Sequence, residues 1–233
     1  MFSGMGADAR VFRRQLESIP QMVVAEWMDP LPGESLASYA ARLAEKINPG
    51  EPCFVGGASF GGFVALEMIN HLDVIACFLV GSVRSPDEFP GRFKALKKIS
   101  HAADALPFEL ATLLSKVALL SGASSSGPHV TELMKQLSES EASFLRWACR
   151  AVLEWEGPST GNTPIHQIHG EKDAVLPARH TSPDKIIPGA GHALSMSHPD
   201  EVTGFLKSIL PKYTPNTENK PHTESHRNKY MQP

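Results

Sequence analysis

The chain has 233 residues, 42% of them apolar, enough to enclose one core of ordinary domain size. Its 22 basic and 25 acidic side chains are interspersed and leave a net charge of -3, so no single-sign field is available to hold nucleic acid or an anionic membrane. A small molecule, rather than a charged polymer, is the substrate class that remains.

The first ten residues reach Asp8 and Arg10 before any apolar run of signal-peptide length, and no stretch of about 18 apolar residues follows, so neither a secretion signal nor a membrane span is expected. Cys53, Cys77 and Cys149 are odd in number, far apart and outside any C-x-x-C or Cys/His cluster. They fit reduced thiols, not disulfides or a zinc site, and a cytoplasmic location is the default that follows.

Short apolar segments at Gln21–Trp27, Pro52–Ala58, Val74–Val80, Ile165–Ile168 and Lys185–Ile187, bounded by Pro, Gly or Asp, are expected to be buried parallel strands. Between and after them, helical spacing predicts helices over Ala9–Ser18, Ser35–Ile47, Phe60–His71 and Pro199–Leu210. This alternation predicts an α/β fold with a mostly parallel central sheet flanked by helices, its ligand at the carboxyl ends of the strands.

Residues 86–158 break the rhythm. They carry amphipathic patterns near Pro90–His101, Pro107–Ser121, Pro128–Leu137 and Glu139–Glu156, with no strand pattern, and are expected to form a helical cap insertion. Phe89, Phe93, Leu113, Phe144 and Trp147 either line a pocket beneath it or form plain core. Residues 1–85 and 159–210 would then make the core of the fold. The polar, aperiodic tail 211–233 is expected to be disordered, and the spacing of His222 and His226 in it is poor support for a metal site.

The chemistry centres on Gly57-Ala-Ser59-Phe-Gly61, a G-x-S-x-G pentapeptide between a predicted strand and a predicted helix. The bare pattern arises by chance in about one chain in ten of this length, given ordinary glycine and serine usage. Its context gives it meaning. A serine on so sharp a strand-to-helix turn needs glycine two residues before and after it, because side chains there would meet the neighbouring strand and helix. The turn lifts the hydroxyl out of the sheet and points the helix amino end toward it. A dinucleotide-binding turn is excluded: G-x-G-x-x-G is lacking, and Val80-Gly-Ser-Val follows where a ribose-binding acid would stand.

Strand, elbow, helical insertion, His169-Gly-Glu-Lys-Asp173 and Gly189-Ala-Gly-His192 together resemble the α/β-hydrolase family over nearly the whole ordered chain, in that family's order of Ser, Asp and His. The resemblance implies Ser59 as nucleophile and His192 as general base, on a turn after a short strand. It implies Asp173 as the acid that orients His192, with Glu171 its nearest rival; His198, beside Pro199, suits a capping or surface role better. It also implies oxyanion donors in the amides of Phe60, which follows the nucleophile, and Met5, in a Ser3-Gly-Met-Gly loop where the family usually carries histidine at the position of Ser3. Only Met1 and Phe2 precede that loop, so the family's two earlier strands have no counterpart and a trimmed sheet of about six strands is expected.

The function this implies is hydrolysis of a small carboxylic ester through an acyl-enzyme, with no metal or organic cofactor. Cleavage of a thioester is the alternative within enzymes. A binding protein built on the hydrolase fold is the alternative outside them, and a homodimer is compatible with any of the three.

Overall fold

The computed structural model describes residues 1–93 and 128–213. The expected patterns near Pro107–Ser121, most of Pro90–His101, Leu113, His222 and His226 lie outside them. Four parallel strands, β1 (Cys53–Ala58), β2 (Val74–Val80), β3 (Ile165–Gly170) and β4 (Lys185–Ile187), pair in the order β1-β2-β3-β4. Phe54 stands opposite Ala76, Cys77 opposite Ile165, and Ile168 opposite Lys185.

The described sheet therefore has four strands, not six. Gln21–Trp27, expected as a strand, runs beside Met1 without entering a ladder. The Ala25 amide donates to the Met1 carbonyl at 3.0 Å, and the Met1 ammonium donates to the Val23 carbonyl at 2.7 Å. Phe2 in turn bridges to Gly57, giving its amide to Gly56 at 2.8 Å and accepting from Ala58 at 3.0 Å. Two residues between the flanking segments supply one rung on each side, whereas a ladder needs successive rungs.

Helices cover both faces. On one lie α2 (Leu36–Ile47) and α3 (Phe60–Met68); on the other, α1 (Arg13–Ser18) and the carboxyl-terminal helix described below. The faces alternate along β2: Cys77 and Leu79 join the first core, while Ala76, Phe78 and Val80 join the second. This two-sided burial is why β2 reads as one continuous apolar run. The Ser35 hydroxyl caps α2 by accepting from the Ser38 amide at 3.1 Å, and the helix buries Leu36, Tyr39, Ala40, Leu43 and Ala44 along one stripe. All nine residues of α3 are buried, so it is apolar around its whole circumference apart from Glu67. The Trp155 indole donates to Glu67 at 2.7 Å; burial raises that carboxyl, and the indole partly opposes the shift.

Beyond β2 come α4 (Pro128–Glu139) and α5 (Ala142–Glu154), a helical cap on the first face. Both were expected, but the first runs on to Glu139 instead of ending at Leu137, and the second spans Ala142–Glu154 instead of Glu139–Glu156. Phe144 and Trp147 of α5 are 6% and 9% exposed and belong to the core, so they are packing residues, not an open pocket wall. They meet Phe60, Trp27 and Tyr39 in one aromatic cluster, with Tyr39 and Trp147 ring centroids 4.4 Å apart. The Trp147 indole also donates to the Glu34 carbonyl at 2.7 Å, which fastens the cap to the loop before α2.

The short α6 (Leu194–Ser197) leads into α7 (Pro199–Ile209), which starts with Pro199, carries Asp200 and Glu201 in its first turn, and ends with Lys207. Buried Gln15 of α1 ties the two together, donating to the carbonyls of Ser195 and Pro199 at 3.2 and 3.1 Å. The three cysteines are free thiols, and burial pushes Cys77 up to about 12 and Cys149 up to about 11. Among the described residues no helix is long and apolar enough to cross a membrane.

Strand β1, helix α3 and the first residues of the chain approach one another closely. A Cβ on Gly57 would lie 2.1 Å from the Gly61 carbonyl group, and one on Gly61 would lie 2.3 Å from the carbonyl oxygens of Phe2 and Ser3. These obstacles are backbone and cannot rotate away. Gly61→Ala is therefore expected to lower the unfolding free energy by about 3 kcal/mol, the upper end of overpacking costs. Urea denaturation measures it, and a loss below about 1 kcal/mol would show that the spacing yields.

Candidate active site

The tight approach at Gly57 and Gly61 forces the chain to turn at Ser59. Its backbone sits at φ 51 and ψ -119, making it the sole non-glycine with positive φ among the described residues. Such a conformation costs roughly 1–3 kcal/mol and persists only where neighbours enforce it. Here the Ser59 amide donates to the Val80 carbonyl at 3.1 Å, and the Ser82 hydroxyl donates to the Ser59 carbonyl at 2.8 Å. Ser82 is in turn held by buried Gln167, whose amide donates to the Ser82 carbonyl at 2.7 Å.

The turn presents Ser59 Oγ to His192. The hydroxyl lies 2.8 Å from His192 Nε2, and His192 Nδ1 lies 2.7 Å from Asp173 Oδ2. A carboxylate only accepts, so the imidazole hydrogen sits on Nδ1 and Nε2 is free to accept from the serine. His192 stands in the turn between β4 and α6 with its side chain 17% exposed, while the Asp173 side chain is fully buried.

Asp173 follows β3, and its two oxygens divide their partners. Oδ1 accepts from the amides of Val175 and Leu176 at 2.8 and 2.9 Å, closing the acid loop, and Oδ2 is left to the histidine. Burial alone would raise this carboxyl, but the charge of His192 and hydrogen bonds from His169 and His192 together hold it well below the usual carboxylate range. Glu171, the rival acid, accepts from the Gly189 amide at 2.8 Å at the surface. His198 pairs with the Ser197 hydroxyl at 2.9 Å and is half-buried.

Of the two expected oxyanion donors, Phe60 directly follows the serine and Met5 lies in the Ser3–Ala7 loop. Phe60 opens α3, where an amide has no helical carbonyl four residues earlier to bond. The Ser3–Ala7 loop approaches from the other side: a methyl on Gly4 would lie 3.8 Å from Ser59 Cβ. Ser3 is buried, and its hydroxyl closes the loop by donating to the Ala7 carbonyl at 2.7 Å. The Trp27 indole donates to the same carbonyl at 3.2 Å. Serine thus supplies a loop-closing hydrogen bond at the position where the family usually carries histidine. Met5 itself is half-buried, with its sulfur 3.6 Å from the Cys149 thiol.

Four contributors to this site were not assigned from the sequence. Ser82 and Gln167 brace the elbow. His169, wholly buried, lies 3.3 Å from Asp173 Oδ2. Arg92 reaches the carbonyls of Ala174 and Val175 in the acid loop. The signal for His169 was its place in His-Gly-x-x-Asp; the other three have no local pattern, Ser82 and Gln167 depending on contacts between neighbouring strands and Arg92 on the approach of the cap side to the acid loop. Among the described residues no three His, Cys, Asp or Glu side chains gather as metal ligands.

This geometry can be set beside known proteins. Residues 4–204 match the model of the alpha/beta hydrolase family. No curated protein matches the sequence at a significant level. Among solved structures, the malate-bound thermophilic esterase from Thermogutta terrifontis is 18% identical, with 91% of this chain and 89% of that one aligned at a TM-score of 0.67. MenH from S. aureus aligns over 91% and 92% at 0.69 with 17% identity, and a bromoperoxidase from Bacillus anthracis over 90% of each chain at 0.64 with 14% identity. At such identities the likeness is one of fold. With its family model spanning most of the sequence and its elbow, acid loop and histidine turn in family order, the chain belongs to the alpha/beta hydrolase family.

Proposed function

We propose that the protein is a serine hydrolase that cleaves small carboxylic esters by two-step acyl transfer. The observation that carries this is the unbroken chain from Ser59 Oγ through His192 to Asp173, with both links under 3 Å.

In the first step Ser59 Oγ attacks the ester carbonyl while its proton passes to His192 Nε2. The carbonyl oxygen becomes an oxyanion, received by the amides of Phe60 and Met5. The imidazolium is stabilised by the Asp173 carboxylate and then gives its proton to the departing alkoxide, leaving an acyl-Ser59 and a free alcohol. In the second step water loses a proton to His192 and attacks the acyl carbon. Collapse of the second tetrahedral intermediate returns that proton to Ser59 and releases the acid. The strained turn contributes by holding the hydroxyl ready, so little ordering is left for the moment of reaction.

Purified protein is expected to release p-nitrophenol from acetate or octanoate esters. Ser59→Ala and His192→Ala should lower kcat by about four orders of magnitude or more, and Asp173→Asn by about four, with the folded state retained. Ester turnover in any of these variants within tenfold of the parent would remove that residue from the mechanism. Parallel assay of an acyl thioester decides between the two leaving groups.

The Asp173 carboxyl also links stability to pH. A carboxyl held below its unfolded value contributes stability that is complete above the ordinary carboxylate range and lost as pH falls through it toward the folded value. The difference in Tm between the parent and Asp173→Asn is expected to be largest at neutral pH and to narrow in acid. Thermal unfolding at both pH values checks this; a constant difference would contradict it.

A further inference from the structure

We propose that His169 is a positioning residue for the catalytic acid: it sets its Nε2–H beside the same Asp173 oxygen that faces His192, and so limits how basic His192 becomes. The inference rests on the acyl-transfer function proposed above.

His169 ends the buried run of β3 just before the acid loop and is 0% exposed. Its Nε2 lies 2.5 Å from the Leu176 carbonyl and 3.3 Å from Asp173 Oδ2, while Nδ1 is buried without a partner. A carbonyl oxygen only accepts, so the hydrogen is on Nε2 and bonds to Leu176, with Asp173 Oδ2 as its longer second neighbour. Since Oδ1 is occupied by the Val175 and Leu176 amides, Oδ2 stands between two imidazoles, His192 at 2.7 Å and His169 at 3.3 Å.

A carboxylate that accepts three N–H groups and has the polar N–H of His169 at 3.3 Å from Oδ2 is a weaker base than one facing a single imidazole. It still fixes the His192 tautomer, but it draws less on the Nδ1 hydrogen and stabilises the imidazolium less. His192 is thereby left free to return its proton to the leaving group, which an imidazole held too tightly as a cation does poorly. Among the described residues, His192 and His169 are the ionisable groups that act on Asp173. Glu171 is turned to Gly189, and Arg92, coming from the cap side, meets the loop carbonyls of Ala174 and Val175.

The test combines 15N NMR of the imidazoles in the intact protein with the pH dependence of kcat/KM for p-nitrophenyl acetate. The NMR spectrum is expected to show His169 protonated on Nε2 and bare on Nδ1 at neutral pH; a hydrogen on Nδ1 with Nε2 bare would overturn the proposal. In His169→Met, which cannot donate, the acid limb of kcat/KM is expected to move to higher pH by about half to one unit, part of the strength of one charge-assisted hydrogen bond. His169→Gln, whose amide can still donate, should stay within about 0.2 unit of the parent. A folded His169→Met that loses rate uniformly, with its acid limb unmoved, would reduce His169 to packing. The NMR result stands on the parent protein, whether or not His169→Met folds. An absence of ester turnover in the parent would count against the hydrolase function itself and would leave the imidazole spectrum unchanged.

Discussion

The contact between β1, α3 and the carbonyls of Phe2 and Ser3 is the constraint from which the site follows. Three backbone segments meet at distances that leave no room for a Cβ on Gly57 or Gly61, and of the three residues between them Ser59 takes the positive φ. The strain at Ser59 is confined by bonds from three other strands or loops: Val80 accepts its amide, Ser82 donates to its carbonyl, and Gln167 holds Ser82. Because β1 to β4 are parallel, the same sheet edge that ends in Ser59 also delivers the acid loop after β3 and the histidine turn after β4. Two fully covered faces keep these edges in register.

Much of this was legible in the sequence because it is local. Four of the five expected strands are strands, and the elbow, the acid loop and the histidine turn are each a short run of residues that carries its own glycines. Gln21–Trp27 misled for a physical reason. Met22, Val24, Ala25 and Trp27 pack half-buried against the cores while Val23 is 73% exposed, and strand character also needs a partner of several residues, which Met1 and Phe2 do not provide. Helix ends shifted by a few residues: Phe60–His71 stops at Met68, and Ala9–Ser18 opens with a 3-10 turn capped by Asp8. Spacing alone does not separate Asp173 from Glu171, since both lie in one loop; in the structure Asp173 faces His192 and Glu171 accepts from the Gly189 amide.

The cap and the Ser3–Ala7 loop are joined more closely than amphipathic helices alone suggest. The Asp8 amide donates to buried Gln136 of α4 at 3.1 Å, and Arg10 spans from Asp8 to Glu132 and Glu139 of the same helix. Gly6 leaves space for Leu137 and Leu145, whose methyl carbons would lie 2.6 and 3.1 Å from a Cβ there. Exposed ion pairs of this kind add little to stability singly, but the buried Gln136 bond and the leucine contacts define where the loop lies. The aromatic cluster around Phe60 fixes α5 from the other side. Cap, loop and elbow therefore share one packing unit around Ser59.

The most direct test of Ser59 as an activated nucleophile is to treat the folded protein with a fluorophosphonate probe and locate the adduct by mass spectrometry of its peptides. The acyl-transfer mechanism predicts a stoichiometric adduct on Ser59 that is lost in His192→Ala. A folded protein that stays unlabelled, or carries the adduct on another residue, would contradict it.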